Sequence, residues 1–177
     1  LFKYVKGKKR YQDFEVFTEH IPTPQIDPTE ESFDLHNNKL YKSWKELGNA
    51  PIIGGNLNLV YSSIESLDGL ESVGIHLTLN DTPIKSLGNL TSVGKNLSLA
   101  ITPNLKSLGN LKSVGGDLNL NDTSIESLGN LESVGYWMDL ANTPNLKSLG
   151  KLDYVGGEIV VKNHSTTAEL LLNSKFA

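Results

Sequence analysis

The side chains able to do chemistry are few and poorly convergent. His20, His36, His76 and His164 include no i, i+4 pair, so no zinc site is expected. The absence of cysteine removes disulfides, thiolate metal sites and a thiol nucleophile. Asp117, Asp122 and Asp139 could gather if the chain coils upon itself, but no basic residue lies among them to complete an acid–base set. The stretch Gly88 to Asn96, GNLTSVGKN, looks like a phosphate loop, yet it is one residue too long and has Asn96 where a magnesium-binding hydroxyl belongs. GGD at 115–117 lacks the nine-residue period of calcium-binding repeats. The chain is therefore expected to be noncatalytic, with neither metal nor cofactor. One chemically distinctive pair remains, the adjacent aromatics Tyr136 and Trp137.

Those aromatics sit in a chain organised by internal repetition. Residues 87–108 read LGNLTSVGKNLSLAITPNLKSL, residues 108–128 read LGNLKSVGGDLNLNDTSIESL, and residues 128–149 read LGNLESVGYWMDLANTPNLKSL. Leu47, Leu67, Leu87, Leu108, Leu128 and Leu149 open successive units at spacings of 20, 20, 21, 20 and 21 residues. The longer units carry an extra Asn104 or Asn145 after a proline, where a turn absorbs one residue without shifting the next strand. Leu108, Leu111, Val114, Leu118, Leu120 and Ile125 mark six apolar positions per unit that must face inward. The run Asp117 to Asn121 alternates with period two, as a half-buried strand does.

The sequence thus predicts a mainly β fold, a parallel β-solenoid of 20–21-residue leucine-rich coils over residues 47–163. Glycines 54, 74, 94, 115, 135 and 156 fall at corners needing positive φ or close backbone approach. Ser66, Ser86, Ser107, Ser127 and Ser148 should stack, as should Thr82, Thr102, Thr123 and Thr143. Prolines directly after three of the threonines place that column at a corner satisfying backbone groups, rather than on a flat ice-binding face.

Both ends need covers. Residues 1–46 are assigned to an irregular N-terminal cap: a basic start with Lys6, Lys8, Lys9 and Arg10, then seven carboxylates and no Lys or Arg between Asp13 and Asp34. Phe14, Val16 and Phe17 look strand-like, Asp27-Pro28-Thr29-Glu30 opens a short helix, and Tyr41 and Trp44 are placed to cover the first coil. Residues 164–177 are assigned to a C-terminal helical cap, with Thr166-Thr167-Ala168-Glu169 as its capping box.

The phrase LxLxxTxIxxL, present as Leu118, Leu120, Thr123, Ile125 and Leu128, resembles the leucine-rich repeat, with Thr where Asn or Cys is usual. SLGNLKSVGGDLNLNDTSIESL is similar to the repeats of receptor L-domain-like proteins and related bacterial and phage proteins, over residues 47–163. That resemblance implies a right-handed β-solenoid and a function in protein or glycan recognition.

A partner would meet the outward residues of the repeat strands: Asn56 and Asn58, His76 and Thr78, Asn96 and Ser98, Asp117 and Asn119, Trp137 and Asp139, Glu158 and Val160. Most are small and polar. Tyr136 and Trp137 replace Gly116 and Asp117 without a packing motive, which points to function. The candidate binding residues are Trp137, Tyr136, Asp139, Asp117, Asn119 and His76, and the expected partner is a protein or a glycan. Two other faces, one through Glu65, Lys85, Lys106, Glu126 and Lys147 and one through Glu71, Thr91, Lys112, Glu132 and Asp153, are expected to be solvated and structural.

A net charge of −4 and a single arginine, Arg10, argue against nucleic acid. No apolar run approaches the length of a membrane span. Leu1 is neither an initiator Met nor the start of a signal-type stretch, so a trimmed or processed chain is expected; the compartment stays open and the expected state is a monomer. The Asn-x-Ser/Thr triplets at Asn80, Asn89, Asn96 and Asn121 are by-products of repetition. Glycans there would crowd the strands, which favours a bacterial or viral source. Two alternative functions remain open: a structural or adhesive component of a bacterial surface or phage particle, and a small phage or bacterial inhibitor occluding a host enzyme through the acidic segment before residue 35.

Overall fold

The structure is a computed structural model that describes residues 3–5, 8–10, 32–47, 50–162, 165–172 and 175–176. The strands expected around Phe14 and the helix expected after Asp27 lie outside those residues, as does most of the acidic segment.

Each coil contributes two short strands separated by a glycine corner. They are β4 (Ile52–Ile53) and β5 (Asn56–Asn58), then β6 (Ser72–Val73) and β7 (Leu77–Thr78), then β8 (Ser92–Val93) and β9 (Leu97–Ser98). The later coils give β10 (Ser113–Val114) and β11 (Leu118–Asn119), β12 (Ser133–Val134) and β13 (Met138–Asp139), and β14 (Tyr154–Val155) and β15 (Ile159–Val160). Three more strands precede them: β1 (Lys3–Val5), β2 (Lys8–Arg10) and β3 (Ser32–Asp34). The second strand of every coil joins a nine-stranded sheet ordered β1-β2-β3-β5-β7-β9-β11-β13-β15, and the first joins a six-stranded sheet ordered β14-β12-β10-β8-β6-β4. Among the described residues, all strand pairings are parallel except β1 with β2. This is the β-solenoid the repeat predicts.

Register follows from burial. Leu57, Leu77, Leu97, Leu118, Met138 and Ile159 stand opposite one another from coil to coil, so one apolar column runs through the long sheet from β5 to β15. Slipping one residue would turn every one of them to water. The inserted Asn104 lies exposed in its turn, and Leu97 still pairs with Leu118 across the longer unit. The six inward positions of the repeat, Leu108, Leu111, Val114, Leu118, Leu120 and Ile125, are all buried. Coils share this burial, which is why one coil could not fold alone.

The glycine corners are explained by close approach and not by positive φ. A Cβ on Gly74, Gly94, Gly115, Gly135 or Gly156 would stand 2.0–2.2 Å from the carbonyl oxygen of the corresponding glycine one coil earlier. Left-handed backbone occurs elsewhere, at Gly88, Gly109, Gly129 and Gly150 after the unit-opening leucine, and at a second corner where the strands of the long sheet end.

The threonine column is structural. Thr82, Thr102, Thr123 and Thr143 are buried, and each hydroxyl donates to the carbonyl three residues earlier, that of Leu79, Leu99, Leu120 and Leu140, at 2.6–2.8 Å. The serine column stacks as well. Ser86, Ser107, Ser127 and Ser148 accept through Oγ from the amides of Gly88, Gly109, Gly129 and Gly150 at 3.0 Å.

The parallel ladder extends into the segment assigned to the N-terminal cap. Phe33 pairs with Leu57, the Leu35 amide donates to the Asn58 carbonyl, and Ser43 bridges Ser66, so residues 32–47 already follow the path of a coil. Trp44 opens a 3-10 turn (Trp44–Leu47) and is wholly buried, its Nε1 donating to the Ala50 carbonyl at 2.7 Å, while Tyr41 packs partly against the core. At the other end lies helix α1 (Ser165–Leu172). It begins before Thr166, so the capping box does not start it as expected. Thr167 is buried instead, and its hydroxyl donates to the Thr143 carbonyl at 2.9 Å, tying the helix to the last coils.

Candidate functional site

The outer face of the long sheet carries two columns of side chains. The first holds Asn56, His76, Asn96, Asp117, Trp137 and Glu158, one residue before each inward Leu, Met or Ile. Its members are joined by a hydrogen-bond relay. Asn56 Oδ1 accepts from the His76 amide at 3.2 Å, His76 Nδ1 from the Asn96 amide at 3.2 Å, Asn96 Oδ1 from the Asp117 amide at 3.1 Å, and Asp117 Oδ1 from the Trp137 amide at 3.1 Å. Each side chain thus satisfies a backbone donor that the corner turns away from the ladder. The relay stops at Trp137, because an indole has a donor and no acceptor.

The second column holds Asn58, Thr78, Ser98, Asn119, Asp139 and Val160. Asn119 and Asp139 face each other directly, and each accepts from the amide two residues ahead, that of Asn121 at 2.9 Å and Ala141 at 2.8 Å. Four of the six sequence-selected residues, His76, Asp117, Asn119 and Asp139, are therefore half-buried groups with a backbone partner. Asp117, Asn119 and Asp139 lie on the two coils around Trp137. His76 is set apart, three coils from Trp137, or about 14 Å at the usual strand spacing.

Tyr136 and Trp137 are different in kind. They are 65% and 61% exposed, and Tyr154 of the following coil is 57% exposed. Their placement depends on the glycines beside them. Tyr136 lies in a column between Gly116 and Gly157, to which its backbone is hydrogen-bonded on either side, so neither neighbour puts a side chain against its ring. Trp137 Cδ1 lies 2.7 Å from where a Cβ on Gly157 would stand, and the Tyr154 hydroxyl lies 3.0 Å from the same point on Gly156. Trp137 and Tyr154 thus both reach the Gly156–Gly157 corner, and Tyr136, next to Trp137 in the chain, is exposed beside them. Tyr154 belongs with them by place, although the sequence does not single it out as Trp137 and Tyr136 are singled out. Its signal is present all the same, since it replaces the serine of Ser72, Ser92, Ser113 and Ser133 in register.

A second departure lies at the corner where the long sheet's strands end. Asn37, Tyr61, Asp81, Ile101, Asp122 and Asn142 all have φ between 54° and 59°. Asn and Asp tolerate this conformation through local hydrogen bonds, whereas a β-branched or bulky residue is strained there. Ile101 and Tyr61 are nonetheless 48% and 46% exposed, so burial offsets little of that strain. Tyr61 meets His36 edge-on, ring centroids 5.6 Å apart.

Among the described residues, no three His, Asp or Glu side chains converge as metal ligands, and no helix is long and apolar enough to cross a membrane. No protein-family model, curated protein or solved structure matches the chain.

Proposed function

We propose that this chain is a noncatalytic recognition module of the leucine-rich, receptor L-domain-like kind, holding a macromolecular partner against the outer face of its long sheet with Trp137 and Tyr136 as anchors. One observation carries this reading. At the position where Asn56, His76, Asn96 and Asp117 each cap the next coil's amide, Trp137 cannot, and it is exposed besides. The exchange costs the fold that acceptor and leaves most of the indole exposed. A rule broken at a cost to stacking, with a large rigid aromatic put in its place, is what an interface anchor requires. The same face offers no nucleophile–base pair that would favour a reaction over binding.

The test compares the native chain with Trp137→Asn and Tyr136→Gly, each restoring a residue type found at that position in another coil. Trp137→Asn supplies an acceptor for the Glu158 amide and is expected to stabilise the fold by about 0.5–1 kcal/mol. Immobilised native chain should retain a partner from extract of its source that both variants release. Equal retention by all three chains would reject the assignment.

A further inference from the structure

Resting on the recognition reading above, we propose that Tyr136, Trp137 and Tyr154 form a stacking platform for a neutral, hydroxyl-rich glycan. The chemistry of the face selects this occupant. Trp137 shares its two outward columns with Asp117, Asp139 and Glu158, three carboxylates, and between Asn56 and Val160 those two columns contain no Lys or Arg; Lys95, in the column of Tyr136, lies two coils away. Ionised carboxylates only accept hydrogen bonds. Asp117 and Asp139 each spend Oδ1 on a backbone amide, which leaves acceptor capacity on the second oxygen. A sugar brings the complement: hydroxyl donors around its rim and an apolar C–H face that lies flat on an aromatic ring.

A protein partner fits less well. A standard protein interface covers about 800 Å² per side around a core depleted in charge. Beyond the three rings, this face continues into Asn119, Ser98, Thr78 and Asn58, with no further large apolar group in the column. The rings are also confined to coils joined at a single glycine corner, a footprint suited to a few sugar units. Acidic glycans are disfavoured by the same carboxylates, through like-charge repulsion.

The molecule contains its own reporter. Of its two tryptophans, Trp44 is wholly buried and Trp137 is exposed, so acrylamide quenching of tryptophan fluorescence reads Trp137. The full chain is titrated to about 1 mM with cellohexaose, chitohexaose and maltohexaose, and with hexagalacturonate as the acidic probe. At least one neutral hexasaccharide should shield Trp137 from quencher in a saturable way. Tyr136→Gly and Tyr154→Ser should each weaken that binding, by at least about tenfold if the ring they remove is an anchor; melting temperatures near the native value establish that both remain folded. Shielding by hexagalacturonate alone, or by none of the four, overturns the proposal. Partner capture from extract that still depends on Trp137 after such a result would leave recognition standing and remove only the glycan, whereas capture indifferent to Trp137 would remove the recognition reading itself.

Discussion

Coil 108–128 and coil 128–149 begin with the same seven-position phrase save one residue, LGNLKSV against LGNLESV, and then diverge at Gly116-Asp117 against Tyr136-Trp137. In the earlier coil Gly116 is buried and Asp117 half-buried, its carboxylate holding the amide of the coil above. In the later coil the same two places carry exposed rings. What the two coils share is what stacking demands: inward aliphatics, a glycine approached at backbone contact, a threonine closing a buried carbonyl. What they do not share differs in its tie to stacking: Asp117 caps the next coil's amide and Gly116 leaves no room for a Cβ beside Asn96 Oδ1, whereas the indole of Trp137 can make no such cap. The comparison separates residues that build the rod from residues the rod displays, and it can be attacked from either side.

The harshest attack is on the shared glycine. A methyl group on Gly115 would stand 2.2 Å from the Gly94 carbonyl oxygen, and neither backbone can yield without breaking register with its neighbours. Gly115→Ala should cost more than about 4 kcal/mol, or abolish the cooperative urea transition outright. Tyr136→Gly, only one coil away, should change stability by less than about 1 kcal/mol. Similar losses from both would erase the distinction between building and displaying residues.

Next comes the buried threonine. Thr123→Val keeps shape but leaves the Leu120 carbonyl, now held at 2.8 Å by the Thr123 hydroxyl, without that donor in a dry interior. About 1–3 kcal/mol should be lost. Thr123→Ser keeps the hydroxyl and should recover most of it. Urea midpoints at constant m value are the measurement. Equal losses from Val and Ser would mean that the methyl group's packing, and not the hydrogen bond, fixes this column.

A gain is expected where a displayed residue sits in unfavourable backbone. Ile101 has φ 58°, in a column whose other members include Asp81, Asp122 and Asn142. Ile101→Asn should raise stability by about 1 kcal/mol, read as a higher melting temperature. No rise would show that the isoleucine is held by contacts that compensate its strain, and would move it from display to construction.

The repeat period, the inward columns and the long strand are legible in the sequence because burial repeats with the chain. Leu118 and Leu120 announce their direction by alternation alone. The coil at 32–47 is not legible: Phe33 stands for the usual leucine, and it pairs with Leu57 across 24 residues, outside the 20- or 21-residue rhythm. Trp137 and Tyr136 stand out as exceptions to a pattern. The relay through Asn56, His76, Asn96 and Asp117 does not, since Asn, His and Asp share no obvious type until geometry shows that all three accept an amide proton. For that reason sequence alone puts His76 and Asp117 among the binding residues beside Trp137, with no sign of the backbone amides they hold. Tyr154 escapes notice because its column mates are serines of the other sheet, and only the folding of its hydroxyl toward Gly156 brings it to the aromatic corner.

The smallest effect should come from the charged face through Glu65. That residue accepts from Lys85 one coil away at 2.6 Å, with Lys42 at 3.9 Å on the other side. The hydrogen bond from Lys85, with that ammonium's charge, holds the Glu65 carboxyl below its ordinary range. A carboxyl whose folded pKa is depressed stabilises the fold fully above its unfolded value, about 4.3, and the contribution fades as pH falls through the lower folded value. The pair is solvent-exposed, so the contribution is slight and screened by salt. The Glu65 side-chain carbon followed by NMR should therefore titrate at lower pH than a glutamate in an unfolded peptide. Lys85→Met should move that titration back up, while the urea midpoint at pH 7 scarcely changes. A midpoint that fell as far as it does for Thr123→Val would place surface charge among the residues that build the rod, and the division drawn from the two coils would have to be redrawn to include it.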